Sequence, residues 1–282
     1  MERRILLDLF PEELGAWLAD QGQPAYRAQQ LFAWLHRGTP FAQMHTLPQA
    51  LRQTLAESCV DLPMSLRQAF PSQKDDTVKF LYALDDQNLV EGVLMRYHYG
   101  HSLCVSTQVG CKMGCAFCAS TLEGCVRSLS AGEMVAQVVL ANRYLGQRGR
   151  VGHVVLMGSG EPMDNYDACV RFLRLINHPQ GLNLSLRNVS LSTCGLTDGI
   201  RRLAQEGLPV TLSVSLHAPN DALRQRIMPV AKAYPMASLM EAVRDYVRRT
   251  GRRVVFEYAL IDGLNCELSH ARELAALLRS LQ

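Results

Sequence analysis

From residue 103 onward the sequence alternates short apolar, β-branched runs with stretches of helical periodicity. The strand-like runs fall at 103–107, 153–157, 188–192, 210–216 and 253–261. Between the first two, Ser130 and Glu133 form a capping box, in which a serine hydroxyl and a glutamate three residues on satisfy free helix-end amides reciprocally. Met134, Val135, Val138 and Val139 supply that helix's apolar face. Such alternation predicts an α/β fold of parallel strands joined by crossover helices. Folds of this kind gather their chemistry at the carboxyl ends of the strands. Four of the runs end in unusual sequence. A cysteine-rich loop follows the first, Gly158-Ser159-Gly160-Glu161-Pro162 the second, Thr193-Cys194-Gly195 the third, and the fourth closes in Ser215-Leu216-His217. Four such sequences at equivalent strand ends imply one shared pocket.

The cysteine loop carries Cys111, Cys115 and Cys118, thiols separated by gaps of three and two residues. Three thiolates from one short loop can hold three irons of a four-iron cluster and leave the fourth iron open to a chelating cofactor, because soft sulfur suits iron–sulfur chemistry. A structural zinc site is the competing reading, with Cys104 or Cys125 as fourth ligand, although only one Cys-x-x-Cys pair is present. The odd cysteine count, the absence of an apolar signal segment at the charged start (Met1 to Arg4) and the lack of any long apolar run predict a reducing, cytoplasmic setting and no membrane span.

Gly158 to Pro162 offers a backbone that a ligand can approach closely, followed by a carboxylate suited to an ammonium group. A solvated turn has the same composition. Ser192 and Ser215 can hydrogen-bond a ribose or a carboxylate, or be satisfied locally. His217 precedes a turn at Ala218-Pro219-Asn220 and reads as structural more readily than as catalytic. Glu91 lies in a strand-like run, where it relays protons if it faces a pocket and is a surface carboxylate if it faces outward.

Ahead of residue 100 the period differs. Pro11, Pro24 and Pro48 each open a helical pattern, carrying Leu14, Trp17 and Leu18, then Ala28, Leu31, Phe32 and Leu35, then Leu51 and Leu55. Runs at 77–84 and 88–97 flank the turn signal Asp85-Asp86-Gln87, a hairpin. The expected organisation is therefore a helical N-terminal domain at 1–65, a β-hairpin linker at 66–100 and an α/β core at 101–282. Residues 1–100 hold nine basic against twelve acidic side chains, and 25 of the 29 basic residues in the chain are arginine. Arginine pairs with phosphate and stacks on bases, so a nucleic-acid partner is permitted. Arginine-rich genome composition explains the same count, and charge decides nothing.

Several motifs in order carry a resemblance. They are Cys104-Val-Ser-Thr-Gln-Val-Gly-Cys111-Lys-Met-Gly-Cys115-Ala-Phe-Cys118, Gly158-Ser-Gly-Glu-Pro162, Leu191-Ser-Thr-Cys-Gly195 and Ser215-Leu-His-Ala-Pro-Asn220. Together they resemble the RlmN/Cfr family of radical S-adenosylmethionine RNA methyltransferases, and its adenine-C2 branch most closely. The resemblance implies a partial parallel (β/α) barrel with five of six strands present. It implies a 4Fe-4S cluster on Cys111, Cys115 and Cys118 whose open iron chelates S-adenosylmethionine. Gly160 and Glu161 would hold the methionine end of that cofactor, and Ser192, Ser215, Leu216 and His217 the rest. A 5′-deoxyadenosyl radical would then activate a methyl group carried on a cysteine near the C-terminus. Cys104 would resolve the protein–RNA crosslink by forming a disulfide with that cysteine, and Glu91 would accept a proton. The implied substrates are 23S rRNA and the tRNA anticodon loop, with an electron donor such as flavodoxin or ferredoxin and a monomeric enzyme.

The chemistry is consistent with a radical route. An amidine carbon such as adenine C2 is electron-poor and resists ordinary methyl transfer, so a cofactor radical leaves the protein to position the base and exclude water. Unpaired bases in loops are the least costly to extrude. The sequence ends at Gln282 after a helix pattern, and the family's sixth strand, a cofactor-contacting asparagine and the methyl-carrying cysteine have no counterpart in it. Cluster and cofactor binding without completed methylation is the expectation for these residues alone. The alternatives are Cfr-type methylation at adenine C8, a radical enzyme acting on another substrate, and a metal-stabilised RNA-binding module.

Overall fold

A computed structural model describes residues 3–281, so Met1 and Glu2 of the charged start lie outside it. The chain divides into two compact units. The first comprises Met1–Thr107, Leu129–Gly158 and Asp167–Leu186, and the second Gln108–Ser128, Ser159–Tyr166 and Arg187–Gln282.

In the first unit, five strands lie in the order Val151–Leu156, Gly100–Cys104, Leu89–Tyr97, Val78–Leu84 and Met64–Pro71. The pair Gly100–Cys104 and Val151–Leu156 is parallel, and the remaining pairs are antiparallel. The hairpin expected at 77–97 is thus the middle of a larger sheet. Met64–Pro71 adds a strand that its mixed composition concealed, and Leu89–Tyr97 bonds directly to Gly100–Cys104.

Helices Pro11–Asp20, Arg27–His36 and Gln49–Ser58 supply Leu14, Leu18, Leu31, Phe32, Leu35, Leu51 and Leu55 to the core, as their spacing predicts. The second starts at Arg27, three residues past Pro24. Helix Ala131–Leu145 is buried on nearly every side rather than along one stripe. Its second partner is the N-terminal segment. The Gly132 amide donates to Asp8 Oδ1 at 2.6 Å, and a Cβ on Gly132 would lie 2.8 Å from the Asp8 nitrogen. Ser130 and Glu133 cap each other as expected, at 3.2 and 2.8 Å.

In the second unit, Val189–Thr193, Thr211–Ser215 and Val254–Glu257 form three adjacent parallel strands. Helix Thr197–Leu203 lies between the first and second in sequence. Asp221–Ile227 and Met236–Thr250 separate the second and third, and Leu268–Leu278 follows. A short antiparallel pair, Gln108–Gly110 with Cys125–Ser128, closes the base of the cysteine loop. Two expected strands are shorter than the apolar runs suggest: 103–107 ends at Cys104 and 253–261 at Glu257. The fold class is α/β, with mixed β structure and flanking helices. Among the described residues no helix is long and apolar enough to cross a membrane.

Candidate cofactor site

The cysteine loop is held shut at its neck and pinned at its tip. At the neck, the Cys111 amide donates to the Gly124 carbonyl at 2.8 Å. Gly110 has φ +76°, and a Cβ there would fall 2.0 Å from the Gly124 oxygen, so no side chain fits. At the tip, the Ala116 amide donates to the Ile227 carbonyl at 2.8 Å, and Gly114 abuts Pro229. Cys115 is buried with Cys194, Ile227 and Met228, and Met113 and Cys118 pack against the same cluster.

The three thiols feel one another. Burial pushes the Cys115 thiol up to about 11, and negative charge on Cys111 and Cys118 adds to the shift. Burial raises Cys111 as well, against a hydrogen bond from the Met113 amide, and Cys118 again opposes its ionisation. Among the described residues no three His, Cys, Asp or Glu side chains already stand together in a metal-holding arrangement. The donor set nonetheless fits an iron–sulfur cluster. Three soft sulfurs on one short loop, two of them raised by burial, are the groups a cationic iron centre deprotonates and holds.

Glu161 is fully buried, and both carboxylate oxygens are engaged. Oε1 accepts from the Met163 amide at 2.9 Å and Oε2 from the Cys194 amide at 2.7 Å. Its own amide donates to Gln108 Oε1 at 2.9 Å. Burial raises its pKa while the backbone hydrogen bonds oppose that rise. The carboxylate therefore ties the glycine-rich loop to the end of strand Val189–Thr193 and keeps spare lone pairs for a ligand donor. Gly160 sits at φ +107°, a conformation that residues with a side chain rarely adopt.

At the neighbouring strand ends, Ser192 and Ser215 both donate to Glu257 Oε2, at 3.3 and 3.1 Å. The Leu216 and His217 amides donate to the Glu257 carbonyl at 3.0 and 3.2 Å. His217 is a buried non-glycine residue at φ +57°. Its Nδ1 accepts from the Ala259 amide at 3.0 Å, which puts the ring proton on Nε2. Asn265 fixes this turn by donating to the carbonyls of His217 and Ala259, both at 2.8 Å. Burial, with a contribution from Arg224, lowers the His217 pKa to about 4, so the ring is a neutral donor near pH 7.

Sequence reading passed over Glu257, Asn265 and Arg224. Glu257 is a carboxylate at the end of an otherwise apolar strand run, which was a usable signal. Asn265 and Arg224 have none, because their partners are backbone carbonyls that no motif spells out.

The two remaining candidates lie in the first unit. Cys104 pairs with Val93 across the antiparallel strands. Glu91 is two residues from Val93, so Glu91 and Cys104 project from one face a diagonal step apart. Burial pushes the Cys104 thiol up to about 11. Glu91 is exposed and paired with Lys79 at 3.0 Å, and its carbonyl accepts from Ser106 Oγ at 2.7 Å.

Parallel strand ends bearing a three-cysteine loop, a buried glutamate and paired serines describe a protein of the radical S-adenosylmethionine class. The Radical SAM superfamily model matches residues 105–275, and the ribosomal RNA large subunit methyltransferase N-terminal domain model matches residues 5–60. A probable dual-specificity RNA methyltransferase RlmN from Geobacillus kaustophilus is 49% identical over 276 residues, covering 96% of this chain and 75% of that protein. The corresponding protein of Clostridium tetani is 46% identical over 277 residues, covering 98% and 79%. A crystal structure of a radical SAM methyltransferase from Sphaerobacter thermophilus superposes with a TM-score of 0.95 at 44% identity, covering 98% of this chain and 82% of that one. The chain belongs to the RlmN family of radical SAM methyltransferases.

Proposed function

We propose that this chain binds a 4Fe-4S cluster through Cys111, Cys115 and Cys118, holds S-adenosylmethionine at the adjoining strand ends, and serves methylation of adenine carbon 2 in 23S rRNA and tRNA. The observation that carries this reading is the pinned loop of three thiols, followed in sequence by a buried glutamate and a serine–glutamate–serine cluster. The dual-specificity RNA methyltransferases that this chain resembles support an RNA substrate. When bound, the cluster supplies one electron to the cofactor sulfonium.

The chain's own residues then divide the work. Gly160 leaves room for the methionine end of the cofactor, and Glu161 accepts from its ammonium group. Ser192 and Ser215, held by Glu257, face the ribose. The backbone at Leu216 and the Nε2 proton of His217 complete the polar wall. Glu91 and Cys104 are the proton acceptor and resolving thiol by resemblance, and their shared face supports that pairing. A thiol kept protonated by burial needs a nearby base before it attacks.

Residues 1–65 are read as an accessory module, 66–100 as a linker and 101–282 as a partial barrel with five of six strands. The limits of the two family models, 5–60 and 105–275, support that division. The enzyme works as a cytoplasmic monomer with a flavodoxin or ferredoxin type of donor.

The test is anaerobic reconstitution followed by dithionite reduction with S-adenosylmethionine. The expected result is 5′-deoxyadenosine in proportion to bound iron. With a family-type C-terminal segment joined to the chain, digested RNA should contain 2-methyladenosine by mass spectrometry. Finding 8-methyladenosine instead would reassign the position, and a colourless zinc-loaded protein would overturn the reading.

A further inference from the structure

The antiparallel strands ahead of Cys104 are sealed on one face and open on the other. Toward the core, Val78, Phe80, Tyr82, Leu84, Val90 and Leu94 are all buried. The residues between them point the opposite way. On that second face Lys79 and Glu91 are exposed, Leu81, Val93 and Met95 are half-buried, and Leu89 is 41% exposed. The outer strand, Met64–Pro71, adds Phe70 to it, 40% exposed. A solvated sheet face is ordinarily polar. This one is apolar and aromatic around the Lys79–Glu91 ion pair, the composition of an interaction surface.

Register ties the surface to the proposed chemistry. Phe70 lies opposite Lys79, Lys79 opposite Val93, and Val93 opposite Cys104, so these four side chains form one row. Neighbouring strands lie about 4.8 Å apart, which puts Phe70 about 14 Å from Cys104 along that row. Lys79 Nζ sits 5.3 Å from the Phe70 ring centroid and 3.0 Å from Glu91 Oε1. Both partners of the ion pair are open to water, so it holds Lys79 weakly. An RNA strand that delivers an adenine to Glu91 and Cys104 has to run over this face. An aromatic ring beside a loosely held cation matches the flat base and the phosphate of one nucleotide.

Resting on the RNA-methylation reading above, we propose that Phe70 and Lys79 form a docking subsite for single-stranded RNA. Phe70 stacks on an unpaired base that flanks the target adenosine, and Lys79 exchanges Glu91 for an adjoining phosphate. Stacking uses the face of a base and not its edges, so the subsite prefers an unpaired strand to a duplex without choosing a sequence.

Fluorescence anisotropy of the reconstituted chain tests the proposal, with a labelled anticodon stem-loop RNA and a labelled blunt RNA duplex as probes. Phe70→Ala should weaken stem-loop binding about tenfold and leave duplex binding unchanged, while Phe70→Tyr stays near wild type. Lys79→Met should lower the slope of log affinity against log salt by about 0.7, the share of one single-strand phosphate, and Lys79→Arg should keep it. Wild-type stem-loop affinity in Phe70→Ala, or an unchanged salt slope in Lys79→Met, overturns the proposal. An equal loss on stem-loop and duplex overturns it as well. Sedimentation velocity checks for a second copy of the chain on this face, and a wild-type dimer that Phe70→Ala dissociates overturns the RNA assignment. Wild-type protein that binds neither probe overturns the RNA reading on which the subsite rests.

Discussion

Glu257 shows how much one side chain can organise. Two serine hydroxyls from separate strands converge on its Oε2, and its carbonyl takes two further amides. Removing the carboxylate in Glu257→Ala leaves both serines free to rotate. We expect affinity for S-adenosylmethionine, measured by equilibrium dialysis, to fall about tenfold, which is about 1.4 kcal/mol. Iron content should not change, and undiminished affinity would contradict the role given to Ser192 and Ser215. His36 is a contrasting residue. It is buried against Phe32 with neither ring nitrogen partnered, and burial lowers its pKa to about 3. A buried imidazole with idle nitrogens costs more than an apolar group of similar size. His36→Leu should therefore leave stability at pH 7 unchanged or raise it, as read from urea melts.

At the scale of elements, capping and loop closure make separable predictions. Ser130→Ala removes the N-cap of helix Ala131–Leu145 and should cost about 1 kcal/mol of unfolding free energy. It should leave iron uptake intact, since that helix only supports the first unit. Gly110→Ala acts on the loop neck, where the new methyl meets a backbone oxygen at 2.0 Å in a left-handed conformation. A cost above about 2 kcal/mol is expected, together with loss of iron from the reconstituted protein. Normal iron content in Gly110→Ala would show that the neck does not govern the loop.

The same elements show what the sequence disclosed. The capping box, the proline-started helices and the strand-end motifs were legible because each rests on local chemistry. Met64–Pro71 was not, since its polar–apolar alternation breaks at the irregularity between Leu66 and Gln68 and the strand ends in proline. The all-round burial of Ala131–Leu145 was hidden as well. Gly132 and Gly38 admit the N-terminal segment from more than 90 residues away in sequence, a contact no local pattern encodes. In the site, cysteines and serines announced themselves, while Arg224 and Asn265 bind backbone carbonyls and leave no sequence signature.

For the whole molecule, pH dependence follows from its buried histidines. His36 and His217 stay neutral in the folded state down to about 3 and about 4, whereas in the unfolded chain each protonates near 6.5. Through these two residues the unfolded state binds more protons between pH 6.5 and 4, and their contribution to stability falls as pH falls through that window. The slope is about 1.4 kcal/mol per pH unit for each histidine. His36→Leu should remove one histidine's share of that slope, and an unchanged slope would contradict the neutral assignment of His36.

The central claim is that three pinned thiols hold an iron–sulfur cluster beside a cofactor site. Iron and acid-labile sulfide, counted after anaerobic reconstitution of wild type and of the variant with Cys111, Cys115 and Cys118 all replaced by alanine, test it most directly. The account predicts close to four irons and four sulfides per wild-type chain, the stoichiometry of one such cluster, and almost none in the variant. Equal iron in the two proteins, or none in either, would contradict it.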